Sequence, residues 1–274
     1  MGMRIGTNVA SIAAQRHLAR NEANVSRASR ALSSGSRLVS PGDDAAAFAI
    51  SENLRGQAAS LAQAKDNADA ARGLIQVAEG GLNEQNNILI RLRELAVQAA
   101  SDTLSDTERE FLDIEFQNLA AEFERIAQTT MYGNQKLLIG ANREYEFHLG
   151  PGNSKHDIVR YRLDADTRAS TLNIDDLSVS DKDDARDALD DIDEALTKIA
   201  HARASFGALQ SRLEIAAANL DLQRENILEA RSRIADTDVA VEVSNLVQAQ
   251  VLRDFGIAVL AQANQNPARA LKLL

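Results

Sequence analysis

Two long heptad seams leave this chain few ways to fold. Leu61, Ala68, Ile75, Leu82, Leu89 and Ala96 are spaced by seven, with Ala64, Ala71, Ala78, Leu92 and Ala99 beside them and Gln85 as the single polar member. A second series, Ile192, Ile199, Phe206, Leu213, Leu220, Ile227 and Ile234, is accompanied by Ala195, Ala202, Leu209, Ala216 and Ala230, with Gln223 as its polar intruder. Seams held this long predict helices packed lengthwise against other helices, the first running about 60 Å from Leu61 at about 1.5 Å per residue. Gly80-Gly81 is its expected weak point. Aromatic residues are 4% of the 274, with 3 Pro and 14 Gly, so small aliphatic side chains on nearly uninterrupted helices must make the core.

Ser105 followed by Glu108 has capping-box spacing, and Leu112, Phe116, Leu119, Phe123 and Ile126 continue it as a shorter helix. The period then changes to two. Tyr145, Phe147 and Leu149, the turn-forming Gly150-Pro151-Gly152-Asn153, and Val159, Tyr161 and Leu163 predict one β-hairpin. Residues 164–180 read as a short polar connection. Leu18, Val25 and Leu32 form a narrow stripe on a first helix ending near Ser33-Ser34-Gly35; Val243, Val247, Val251, Phe255, Val259 and Leu260 form another before Pro267. A lone amphipathic helix is marginal in water, so the two ends need each other, or neighbouring subunits, to become ordered. The fold class is mainly α: a long antiparallel coiled-coil bundle with one hairpin, drawn out into a rod.

Forty acidic residues against 30 basic ones give a formal charge of -10, which argues against a nucleic-acid partner and against an acidic membrane surface. No apolar run approaches the length of a membrane span, and Asn8, Ser11 and Arg16 interrupt any signal-peptide core behind Arg4. With 0 Cys there is no thiolate metal site or thiol nucleophile. His17, His148, His156 and His201 lack metal-ligand spacing, and no phosphate-binding glycine loop is present. The acidic run from Asp181 to Glu194 lacks the turn glycine of a calcium loop and reads as a solvated helix start. Catalytic, cofactor and metal sites are therefore not expected.

The local sequence is more specific. Leu32-Ser33-Ser34-Gly35-Ser36-Arg37-Leu38, Asp43-Asp44-Ala45-Ala46, Leu82-Asn83-Glu84 and Arg93-Glu94-Leu95-Ala96-Val97-Gln98 resemble the N-terminal signature of bacterial flagellins. Ser232-Arg233-Ile234-Ala235-Asp236-Thr237-Asp238, Glu242-Val243-Ser244 and Val259-Leu260-Ala261-Gln262-Ala263-Asn264-Gln265 resemble the C-terminal one. The resemblance covers roughly residues 1–150 and 185–274, and the short connection stands where flagellins usually carry outer domains. It implies a non-enzymatic subunit that polymerises into the filament used for swimming. Segment 1–44 supplies one helix of an inner coiled-coil domain and 237–274 the other. Segments 45–180 and 181–236 form the surrounding core. Subunit packing then falls to Leu18, Val25, Leu32, Val247, Val251, Phe255 and Leu260.

The same resemblance implies an extracellular location reached without a cleaved signal peptide. Its expected partners are the chain itself, an export chaperone and the type III export apparatus, hook-associated and cap proteins, and vertebrate Toll-like receptor five. Arg91, Leu95 and Glu115 match the positions that receptor contacts, although Arg91 and Leu95 equally suit packing between subunits, and Ile90 departs from the usual glutamine. The run from Leu260 to Gln265 favours flagellin over the nearest alternative, a hook-filament junction protein. A chemoreceptor-type coiled coil would need no hairpin, and no insertion is large enough for a hydrolytic domain.

Overall fold

The computed structural model describes residues 7–271, with side chains through residue 265. Arg4, and the end of the 237–274 segment, lie outside the described residues. Five helices, α1 (Val9–Ser34), α2 (Ala45–Ala99), α3 (Asp106–Thr129), α4 (Lys182–Ala235) and α5 (Val239–Leu271), account for most of the chain. Between α3 and α4 lie two small antiparallel pairs. The strands β1 (Met131–Tyr132) and β2 (Gln135–Lys136) form one, and β3 (Arg143–His148) and β4 (Ile158–Leu163) form the other. Two compact units result. One contains the chain up to Ala58 and from Asn226 onward, and the other is Ala59–Glu225. The division thus falls inside α2 and α4 and not at their ends, 44/45 and 236/237, where the sequence reading places it.

Within Ala59–Glu225 the heptad seams are the core. Leu61, Ala68, Ile75, Leu82, Leu89 and Ala96 of α2 are buried, as are Ile192, Ile199, Phe206, Leu213 and Leu220 of α4. Phe116 and Phe123 of α3 fill the space between them. Each such Leu, Ile or Phe side chain contributes about 1.5–3 kcal/mol by leaving water. Ion pairs Lys65–Asp221 and Arg93–Asp193 join α2 to α4, and Lys182 at the start of α4 pairs with Asp102 just beyond the end of α2, at positions that rise in one direction and fall in the other, so the two helices run antiparallel as expected. Being solvent-exposed, these pairs mark register more than they add stability.

The polar seam residues behave differently. Gln85 is fully buried and its Nε2 donates to the carbonyls of Phe123 (3.2 Å) and Thr167 (3.1 Å). Gln223 is exposed beside Asn219. The two do not meet. The expected weak point at Gly80-Gly81 is instead a packing site, because α2 is continuous there and a Cβ on Gly81 would stand 2.6 Å from Thr130 Oγ1 and 2.8 Å from Leu138 Cδ1.

The 164–180 connection is also more than polar linker. Ala169, Leu172, Ile174 and Val179 join the helical core, and polar side chains of α3 hold the segment there. Glu124 accepts from the Ala169 N–H (2.7 Å), Asp113 from the Val179 N–H (2.8 Å), and Gln117 donates to the Leu177 carbonyl (2.8 Å). The hairpin read from the sequence is present, pairing Tyr145 with Tyr161 and Phe147 with Val159, with the Arg160–Glu146 ion pair on the other face. It docks on α4 through the Tyr161 ring against Phe206 and the Tyr161 hydroxyl 3.0 Å from Ser205 Oγ. Burial pushes the Tyr161 phenol pKa up. The short β1–β2 pair was not legible as a strand pattern.

At the α2–α3 corner the Ser105 N–H donates to the Glu108 carboxylate at 2.8 Å, the N-cap half of the capping box, and the Ser105 hydroxyl donates to the same carboxylate at 2.8 Å. α2 has no basic residue in its last turn. Arg109, side chain 8% exposed, serves instead: Nε donates to the Ala99 carbonyl and Nη2 to the Ser101 carbonyl, both at 2.9 Å, while Asp106 takes Nη1. A cation placed on the negative end of a helix is stabilising. Arg109→Met should therefore lower the stability of this unit by about 2–3 kcal/mol in urea titration, since hydrogen bonds to charged groups contribute roughly 1.5–3 kcal/mol each; an unchanged midpoint refutes the capping role.

Acid should act through the paired carboxylates. The bond from Lys182 holds Asp102 below the ordinary carboxyl pKa, as Arg93 does for Asp193, Arg168 for Asp166, and the Ser105 backbone N–H for Glu108. A depressed folded pKa contributes stability that is complete above the unfolded value, 3.8 for Asp and 4.5 for Glu, and is lost as pH falls through the folded one. The urea midpoint should decline as pH drops below about 4.5; a midpoint that rises there contradicts the assignment.

Candidate assembly interface

α1 and α5 pack against each other in antiparallel fashion. Asn8 caps α1, its Oδ1 accepting from the Ser11 N–H (3.0 Å), while its Nδ2 reaches the far end of α5 and donates to the Ala263 carbonyl (2.9 Å). Ser11 Oγ donates to Asn264 Oδ1 at 2.8 Å. Small residues, Ala14, Ala28 and Ala31 on α1 with Ala249 and Ala263 on α5, occupy the buried positions. Leu18 lies over Gly256, where an added Cβ would meet Leu18 Cδ1 at 3.5 Å. Small side chains let the helix axes approach closely.

Of the predicted packing residues, Leu18, Val25, Leu32 and Leu260 are half-buried, whereas Val247, Val251 and Phe255 point away from α1, with Phe255 66% exposed. The α5 row read from the sequence is therefore not the face that meets α1. Successive steps of four residues rotate by about 40° on an α-helix, so a row of Val243, Val247, Val251, Phe255 and Val259 winds around it. α5 is apolar on most of its circumference, and hydrophobicity alone could not say which side pairs. Toward the other end, beside the buried Ala28 and Ala249, the pair carries a groove of about 420 Å³ whose polar lining includes Asn24, Arg27, Glu242 and Gln248.

The chain enters and leaves this pair through one pinned junction. α1 stops at Gly35, whose φ of +68° suits glycine. Beyond it the Arg37 N–H and Ser36 Oγ both donate to the Ala235 carbonyl (2.7 and 2.9 Å), Arg37 Nη2 donates to the Ile234 carbonyl (2.8 Å), and the Thr237 N–H donates back to the Gly35 carbonyl (3.1 Å). Asp44 and Asp238 then open the next helices, each accepting from two backbone N–H groups. Ser40 N–H donates to Asp43 and holds its carboxyl pKa down. The two signature segments, far apart in sequence, are thus one structural joint.

The three residues read as receptor contacts separate. Arg91 bonds Glu115 through Nε (3.0 Å) and Nη2 (2.8 Å) and Glu94 through Nη1 (3.0 Å), all exposed. Leu95 is 0% exposed and belongs to the core between α2, α3 and α4. As a surface contact Leu95 is corrected: it lies outside both seams and is buried in the cluster that α3 completes. Among the described residues no group of three or more His, Asp or Glu is placed to hold a metal.

Long antiparallel helices, a minimal hairpin, and terminal helices that pair while leaving much apolar surface uncovered define a self-associating structural subunit. The chain belongs to the bacterial flagellin family, whose N-terminal helical region matches residues 5–143 and whose C-terminal helical region matches 189–274. It is 38% identical to a flagellin of Halalkalibacterium halodurans over 99% of this chain and all of that one. It is 35% identical to the flagellar filament 33 kDa core protein of Treponema phagedenis, again over 99% of this chain and the whole relative. A crystal structure of Bacillus cereus flagellin superposes with a TM-score of 0.51 at 28% identity, covering 57% of this chain and 88% of that one. The chain is a structural subunit of the flagellar filament, and matches of this extent favour that reading over the junction-protein alternative.

Replacing Gly35 with alanine tests the joint. A non-glycine residue in the left-handed region costs roughly 1–2 kcal/mol, so Gly35→Ala should lower the melting temperature of the terminal helices without altering that of the Ala59–Glu225 unit; equal shifts in both would show that Gly35 is not specific to the joint.

Proposed function

We propose that this flagellin polymerises through its terminal helices, which are marginal as a pair and become fully ordered only between neighbouring copies. The uncovered face of α5 carries this reading: Val243, Val247, Val251, Phe255 and Val259 are 44–66% exposed in the single chain. Exposing apolar surface on this scale is unfavourable in water, and burying it against other copies supplies the driving force. A segment that orders on binding spends part of that gain on its own conformational entropy, which makes growth at an existing end easier than nucleation.

Ends that remain loose before assembly also suit export as an unfolded chain through the flagellar type III apparatus, with an export chaperone shielding the C-terminal segment. Hook-associated and cap proteins would meet the same surfaces at the two ends of the filament, and the extracellular space is where it works. Among the described residues no helix is long and apolar enough to cross a membrane. The Arg91–Glu115 pair is the part of the receptor motif available at the surface for Toll-like receptor five.

Seeded growth followed by negative-stain electron microscopy tests the role. Full-length chain should extend filament fragments into long uniform tubes, and a chain lacking residues 1–40 and 240–274 should not. Amide exchange should be fast in α1 and α5 of the free subunit and slow in the filament. Protected termini in both states would refute ordering on assembly, and short rings would return the junction-protein reading.

A further inference from the structure

α4 carries a second heptad seam on the side opposite its buried one. Ala204, Ser211 and Ala218 are spaced by seven, Ala208, Ile215 and Leu222 run beside them, and all six are exposed, Ile215 at 72% and Leu222 at 57%. A helix with one seam inward and another outward is built to pack on both sides. The same unit presents a different uncovered apolar face on α3, where Phe111 is 66% and Ile114 59% exposed. Among the described residues of one copy, neither face has a helix packed over it.

We propose that the outward seam of α4 receives the Phe111–Ile114 face of α3 from a second copy of this chain. The reading rests on polymerisation as proposed above. Size favours it: α3 offers two large side chains, and the seam offers small ones at Ala204, Ala208 and Ser211 to receive them. Polarity favours it too. α3 runs antiparallel to α2, and α2 antiparallel to α4, so copies stacked with a common polarity bring α3 and α4 together in parallel. Setting Phe111 opposite Ala208 then places Ile114 opposite Ser211 and leaves Glu110 flanking Arg212, the arrangement in which parallel helices form interhelical ion pairs.

Charge is the third argument. On and beside α3 the cations are already matched, Arg91 with Glu115 and Glu94, Arg109 with Asp106 and Arg125 with Glu122, whereas Arg203, Arg212 and Arg224 along the α4 seam have no ion pair among the described residues, and of these the register sets Arg212 beside Glu110. Glu110 and Arg212 have no ion-pair partner among the described residues. The contact joins two different patches, so each copy offers one of each and the chain of contacts does not close on itself. Such heterologous contacts generate open helical arrays.

Charge reversal tests it. Glu110→Arg alone and Arg212→Glu alone should each slow seeded elongation by about tenfold or more, because like charges facing across an interface are strongly unfavourable, and the double variant should recover most of the rate. Both positions are exposed, and far-ultraviolet circular dichroism of each subunit should be unchanged. As a measurement independent of rate, Ile114→Cys with Ser211→Cys, in a chain with 0 native Cys, should form intermolecular disulfides in the polymer and not in the monomer. Single variants that elongate like the parent, a double variant that stays slow, or polymers that do not cross-link would each overturn the contact while leaving the filament role intact. Failure of the unsubstituted chain to extend seeds would instead remove the filament role, and this contact with it.

Discussion

The rest of the molecule depends on the apolar seam that α2 and α4 share. Its residues are mostly Ala, Leu and Ile, and most of them are buried along the Ala59–Glu225 unit. Such a seam has a long narrow core and no deep pocket, which is why Phe116 and Phe123 of α3 must complete it from one side. Aromatic residues are accordingly scarce within the seams themselves, where Phe206 is the one instance. A core of this form supports contact along a surface, which is what a polymer subunit needs.

Polar groups decide the details that apolar packing leaves open. Gln85 interrupts the seam yet ties α2 to α3 and to the 164–180 connection through two carbonyls. Arg109 caps a helix that has no cation of its own at that end. Asp113, Gln117 and Glu124 line up on α3 and hold the connection by its backbone. Each satisfies a main-chain group that burial or a helix end would otherwise leave unpaired, a costly omission in a low-dielectric interior.

At the ends of the chain the balance is reversed. α1 and α5 approach through alanine, glycine and serine, so the contact is close but buries few large side chains, and the bulk of the apolar surface on α5 stays outside. The joint at Gly35–Arg37 and Ile234–Thr237 holds the entry and exit of that pair through backbone hydrogen bonds. A firmly held joint beside a weakly held helix pair suits a segment whose final partners are other copies.

The helices, their order and the hairpin were legible in the sequence, because period seven, period two and capping residues are local signals, and the signature segments at the two ends carried the family. It showed that Gln85 stood in a seam, but not that two distant carbonyls awaited it. It missed the buried role of Ala169, Leu172, Ile174 and Val179, since a segment of irregular backbone has no period to reveal which side faces inward. It grouped Leu95 with Arg91 and Glu115, although Leu95 lies outside both seams and is buried in the cluster that α3 completes, which leaves the other two on the surface. For α5 it supplied apolar residues on nearly every side, and only the tertiary structure chose the small-residue face for α1. Close approach of two backbones depends on what is absent from both helices at once, and that is a property of the pair and not of either sequence alone.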